Sequence, residues 1–199
     1  MHNEPMRLFV ALPVPDHIRQ WLADSTSEPR TNRWFQKWVH PQDYHVTLKF
    51  LGETDPSRVD AVCAALDQAA RIVQPFSLVL GQSGWFGPPA LPSVWWSGVS
   101  GDLGKLRLLQ REVNTRLHAL GVEPDKRPYS PHITLARRAN VSLTRDQLRS
   151  ISPESNLPSS SWQVEEMVLF RTHMGRSPMY EAICRFPLQH PRQNISREI

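Results

Sequence analysis

Apolar residues recur along the chain with two periods, two and about 3.6, and their order lays out the elements. Residues 7–12 (RLFVAL) form a short apolar run stopped by Pro13 and Pro15, which predicts a buried strand. Asp16 is expected to cap a short helix with Ile18, Trp21 and Leu22 on one side, fading in the polar stretch 25–33. A second strand is predicted over 44–51, ending at Gly52. Asp55 followed by Pro56 reads as an N-cap and first helical position, and Val59, Val62, Cys63, Leu66, Ala70 and Val73 continue at helical spacing to predict a helix over 55–73. Strands over 76–80 and 94–99 are joined by a Gly- and Pro-rich loop with Trp85, Trp95 and Trp96 nearby. Leu103, Leu106, Leu109, Val113, Leu117 and Leu120 trace a helix over 102–120, which Gly121 ends. A strand over 132–137, a short helix over 144–150, a Ser/Pro-rich loop through 161, strands over 164–172 and 179–186 and a polar tail from about 189 complete the order.

Two helices of similar length, each lying between strands, point to an α+β protein of two related halves in one domain spanning 1–199. With 199 residues, 40% of them apolar, the chain can bury a core without staples. Only 2 Cys and no sequence period exclude disulfide-scaffold, collagenous and low-complexity classes. Cys63 and Cys184 form no C-x-x-C pair and read as small buried apolar residues, not as a zinc or redox motif. No apolar run approaches the roughly 20 residues of a membrane span, and the N-terminal patch is too short and Pro-interrupted for a signal peptide. No membrane association and a cytoplasmic location are therefore expected. The net charge of +4 tolerates an anionic partner without naming one.

One pattern occurs twice. Residues 45–50 read His-Val-Thr-Leu-Lys-Phe and residues 132–137 read His-Ile-Thr-Leu-Ala-Arg, with Pro41 and Tyr44 before the first copy and Pro128, Tyr129 and Pro131 before the second. Side chains alternate faces along a strand, so His45 with Thr47, and His132 with Thr134, share a polar face while Val46, Leu48, Ile133 and Leu135 face a core. If the halves pack about a pseudo-twofold axis, both pairs meet in one cleft. Two imidazoles suit phosphodiester hydrolysis without a metal: one neutral ring takes a proton from water, and the other, protonated, gives one to the leaving oxygen. The threonine hydroxyls can donate to the non-bridging phosphoryl oxygens. Zinc is the rival use of two histidines, but neither copy carries a Cys, Asp or Glu two positions on, and a two-His site needs ligands from elsewhere. No metal or cofactor is expected.

Around the pairs, alternation puts Lys49 on the face of His45 and Thr47, and puts Arg137 opposite His132 unless the strand ends or twists there. Arg137 is a candidate bidentate phosphate contact and Arg127 a further one. Phe9, Tyr129, Trp95 or Trp96 are candidates to stack a terminal base. His2, His17, His40, His118, His173 and His190 have no repeated partner and read as structural or exposed.

The twin motifs resemble those of the two-histidine phosphoesterases. More narrowly, RLFVAL at 7–12, HVTLKFLG at 45–52, PHITLAR at 131–137, and LFRT at 169–172 through PMYE at 178–181 are similar to the RNA 2′,3′-cyclic phosphodiesterases, also called 2′-5′ RNA ligases. That resemblance implies a two-lobed pseudo-twofold α+β fold, each lobe an antiparallel sheet with outer helices, about a positively charged central cleft. It implies opening of a terminal 2′,3′-cyclic phosphate to a 2′-phosphomonoester, with His45 as proton donor to the departing 3′ oxygen and His132 as proton acceptor for water. RNA ends, tRNA fragments among them, are the implied partners of a monomer. The alternatives are 2′-5′ joining of tRNA halves by the same four residues, and RNA-end binding without turnover.

Overall fold

The computed structural model describes residues 4–149 and 160–189. His2, His190, most of the Ser/Pro-rich loop and the tail lie outside them. The elements are β1 (Met6–Pro13), α1 (Asp16–Ser25), α2 (Ser27–Thr31), β2 (Phe35–Trp38), β3 (His45–Thr54), α3 (Val59–Ala70), β4 (Phe76–Phe86), β5 (Val94–Gly101), α4 (Leu103–Ala119), β6 (His132–Ala139), α5 (Arg145–Arg149), β7 (Ser161–Val164), β8 (Glu166–Thr172) and β9 (Tyr180–Pro187). No helix among the described residues is long and apolar enough to cross a membrane.

Every strand pairing is antiparallel, in the order β7-β4-β5-β6-β3-β1-β8-β9, with β2 also on β6. The sheet divides into two lobes. β3, β1, β8 and β9 make the first, and β6, β5, β4 and β7 the second. They join where Val46 of β3 pairs with Ile133 of β6, both fully buried. The seam therefore runs through the two motifs, and the pairing that closes the core also brings the histidine-bearing strands together.

Both long helices back the first lobe. α3 packs on α4, β8 and β9, and α4 reaches β3, although α4 follows a strand of the second lobe. Their buried rows, Val62, Leu66, Ala69 and Ala70 on α3 and Leu106, Leu109, Val113 and Leu117 on α4, join Leu8, Val10, Leu12 and Leu48 in one core. Truncating one such leucine costs about 2–5 kcal/mol. Gly121, at φ +81°, ends α4 as expected: its N–H bonds His118 O, and Val122 N–H bonds Leu117 O. Asp55 does accept a cap bond from Ser57 N, but over a 3-10 turn, Pro56–Arg58, ahead of α3. Asp16, by contrast, is the first residue of α1 and caps nothing; Pro15 precedes the helix.

Two short strands were not expected. β2 and β7 have four residues each and border longer strands, so neither carries enough alternation to stand out. The cysteines also differ from expectation. Cys63 on α3 and Cys184 on β9 are half-buried, and the Cys63 thiol donates to the Cys184 sulfur at 2.7 Å. Burial and that contact push the Cys63 thiol up to about 12.

Candidate functional site

Both motif strands share one burial sequence: half-buried, buried, half-buried, buried, buried, exposed. The doubled buried position marks a β-bulge in each. Across β1 and β3, Ala11 faces Thr47 while Val10 faces Lys49, leaving Leu48 as the extra residue. Across β5 and β6, Trp96 faces Thr134 while Trp95 faces Ala136, leaving Leu135 extra. A bulge sets two residues against one and reverses the facing of everything beyond it.

The reversal moves two expected residues. Lys49 falls on the core side, only 2% exposed, where its Nζ donates to Glu123 O at 2.7 Å and pairs with the Asp125 carboxylate at 3.1 Å. It anchors the segment after α4 instead of facing the histidines. Arg137, set opposite His132 by simple alternation, returns to the cleft face and is exposed. Its charge acts on His45, His132 and Tyr180 alike. The next residue, Arg138, sits at φ +58°, a left-handed conformation that costs a non-glycine residue about 1–2 kcal/mol, one residue before β6 ends at Ala139.

The two imidazoles are held alike. His45 Nδ1 lies 2.7 Å from Asp43 O, and His132 Nδ1 lies 2.7 Å from Ser130 O. A carbonyl only accepts, so Nδ1 carries the proton in both rings and Nε2 is the unprotonated nitrogen. Thr47 Oγ1 sits 3.0 Å from His45 Nε2, whereas the Thr134 hydroxyl has no partner among the described residues. Each ring lies on aromatic side chains. His45 packs against Phe9 at 4.9 Å and Tyr180 at 5.2 Å, and His132 against Phe86 at 5.1 Å and Trp96 at 5.7 Å between ring centres. Gly84 makes room for this bed, since a Cβ there would lie 2.3 Å from the Trp96 ring.

Removal from water lowers both histidines. His45 falls to about 4, with burial the main cause and the charges of His132 and Arg137 adding to it against the opposing Asp43 carbonyl bond. His132 is lowered by burial and by Arg137, against the Ser130 carbonyl bond. Near neutral pH both rings are uncharged, whereas unperturbed values leave one ready to be protonated.

The two ends of the cleft differ. One is a pocket of about 620 Å³ lined by Thr47, His132, Phe50, Phe86, Tyr129 and Arg127. Phe50 is 60% exposed, and the Tyr129 hydroxyl donates to Thr47 O at 3.1 Å. At the other end, about 300 Å³ is walled by Lys37, Trp38, Asp43, Arg137, Arg176 and Tyr180. Phe9 is 2% exposed beneath His45 and offers no free face, and Trp95 is wholly buried, stacked on Phe35 at 5.5 Å. Trp96 alone of that pair borders the cleft. Of the other histidines, His40 Nδ1 accepts from Gln42 N, His173 bonds Glu181, and His17 and His118 are at the surface.

Sequence reasoning missed Phe50, Phe86, Tyr180 and Asp43. Phe50 stands five positions after His45, as Arg137 stands five after His132, so the repeat itself extends one step further than the shared residues. Asp43 ties the site to the β8–β9 hairpin: its carbonyl holds His45 while its carboxylate accepts from Met179 N and Tyr180 N.

The sequence matches the model of the 2′-5′ RNA ligase superfamily over residues 14–176. It is 36% identical over 182 residues to an RNA 2′,3′-cyclic phosphodiesterase of Geobacillus stearothermophilus, covering 90% of this chain and 56% of that protein. It is 35% identical over 189 residues to one of Bacillus subtilis, covering 90% of this chain and 95% of that protein. Among solved structures, E. coli LigT complexed with 3′-AMP superposes with a TM-score of 0.78 at 26% identity, over 94% of this chain and 100% of that one. TT0787 of Thermus thermophilus superposes with a TM-score of 0.73 at 28% identity, over 92% and 98%. With a family model covering most of its length and two motif strands meeting at one seam, the chain belongs to the 2′-5′ RNA ligase superfamily.

Proposed function

We propose that this protein hydrolyses terminal 2′,3′-cyclic phosphates of RNA to 2′-phosphomonoesters. The observation that carries the reading is the pair of imidazoles anchored alike, each with a proton fixed on Nδ1 and an unprotonated Nε2, on the two strands of one seam. The names of the curated relatives support the substrate class.

Water attacks the phosphorus as His132 Nε2 takes its proton, the bond from phosphorus to the 3′ oxygen breaks, and His45 Nε2 gives a proton to that oxygen. Thr47 and Thr134 donate to the non-bridging oxygens, with Arg137 balancing their charge. The assignment of donor and acceptor follows the family resemblance. Both rings start neutral, and the anionic cyclic phosphate raises their joint proton affinity, so one proton is taken up with the substrate. Phe50 and Phe86, exposed at the apolar end, are suited to stack the terminal base. The protein acts as a monomer in one domain, on cytoplasmic RNA ends that include tRNA fragments.

The test supplies a nucleoside 2′,3′-cyclic phosphate with a chelator and identifies the product by phosphorus NMR. A 2′-phosphomonoester is expected. No product at any pH contradicts the enzyme reading, and product lost to the chelator contradicts the metal-free one. The superfamily's name favours a second reading, 2′-5′ joining by the same four residues, which an RNA with a free 5′-hydroxyl distinguishes by forming a longer strand.

A further inference from the structure

The cationic end of the cleft is used by none of the steps above, apart from Arg137 at its inner edge. Lys37 faces Arg137 directly across the β2–β6 pair, and Arg176 approaches from the β8–β9 hairpin of the other lobe. Like charges directly opposed on neighbouring strands are unfavourable. All three side chains are exposed, and among the described residues none forms an ion pair. The acid in this wall, Asp43, has both carboxylate oxygens engaged by Met179 N and Tyr180 N. Glu181 lies within the field of Arg176 but bonds His173 at 2.5 Å. Such a convergence of unpaired cations suits an anion.

The neighbouring pocket of about 350 Å³ contains Arg7, Arg171 and Arg176 but also Glu53, which faces Arg7 across β1 and β3, while Glu181 faces Arg171 across β8 and β9. Arg7 and Arg171 thus have acidic neighbours in register, and Arg176 is shared with the first pocket. In the pocket of Lys37, Arg137 and Arg176 the acid, Asp43, is held by the Met179 and Tyr180 N–H groups and pairs with none of the three cations, and the pocket adjoins the histidines through Tyr180, whose ring is 5.2 Å from His45.

We infer that this pocket is a second phosphate subsite, taking the phosphodiester on the 5′ side of the terminal nucleotide. The inference rests on the cyclic-phosphate reading and adds to it: the preferred substrate is an oligonucleotide end, not a mononucleotide. The apolar end and the cationic end then give the cleft a direction, base toward Phe50 and Phe86, upstream phosphate toward Lys37 and Arg176.

The experiment compares kcat/KM for a nucleoside 2′,3′-cyclic phosphate, the same nucleotide carrying a 5′-phosphate, and a dinucleotide ending in it, for wild type, Lys37→Gln and Arg176→Gln. Wild type is expected to favour the dinucleotide over the unphosphorylated mononucleotide by about tenfold, the scale of one charge-assisted phosphate contact. Each variant narrows that ratio several-fold, and added salt narrows it in wild type. An equal advantage from the 5′-phosphate alone assigns the subsite to any phosphate at that position and overturns the need for a longer strand. Equal wild-type rates on all three substrates, or an unchanged ratio in both variants, overturn the subsite while leaving hydrolysis intact. A wild type inactive on all three overturns the hydrolysis reading and this one with it. Binding of the dinucleotide 2′-phosphate product, measured by calorimetry, is expected to weaken in both variants; unchanged binding contradicts the subsite independently of turnover.

Discussion

His45 and His132 are ordinary side chains whose surroundings change their chemistry. An imidazole on aromatic rings loses the water that stabilises its cation, and the carbonyl of the residue two positions back returns only part of that. The consequence for stability has a definite sign. His45 sits near 4 in the folded protein against about 6.5 when unfolded, so between those values the unfolded chain binds more protons. This contribution is complete above about pH 6.5 and is lost as pH falls toward 4, with the lowered His132 acting in the same direction. Thermal midpoints measured across that window are expected to fall less steeply for His45→Gln than for wild type. Equal slopes contradict the assignment. The histidines and threonines were legible in the sequence because a repeated residue type at a fixed spacing survives without knowledge of the fold. Their shifted protonation was not, since it depends on Phe9, Phe86, Trp96 and Tyr180 arriving from other strands.

At the scale of elements, the bulges decide which residues the cleft receives. Alternation predicted the facing of the first four positions of each motif and failed at the fifth, because register is a property of a strand pair and not of a strand. The cross-strand partners, Val10 and Ala11 for β3 and Trp95 and Trp96 for β6, reveal it. A lysine at the fifth position of the first copy disguised what Ala136 shows plainly in the second: two successive residues facing the core. Lys49 instead ties the segment after α4 through Glu123 O and Asp125. Lys49→Met removes one charge-assisted tether, worth roughly tenfold in local opening. Amide hydrogen exchange across residues 122–129 is expected to quicken by about that factor while β6 is unchanged, and an unchanged loop contradicts the anchoring role.

For the whole molecule, one seam does two things. Val46 against Ile133 closes the core between lobes and brings the histidine strands to neighbouring positions, so the pseudo-twofold arrangement creates the site. Two related halves were legible from the repeat, but the placement of α3 and α4 together on the first lobe was not, because amphipathic spacing shows that a helix has a buried face without showing what covers it. The symmetry is broken at the ends, where Phe50 occupies the position that Arg137 holds in the other copy, and this gives a nearly twofold cleft a direction suited to an RNA terminus. The central claim is that both imidazoles act in one turnover. Its most direct measurement is kcat on a 2′,3′-cyclic phosphate, with chelator present, for wild type, His45→Ala and His132→Ala, each shown to be folded. Loss of about a hundredfold or more in each variant is predicted, the scale of one positioned acid or base; either variant turning over at the wild-type rate would contradict it.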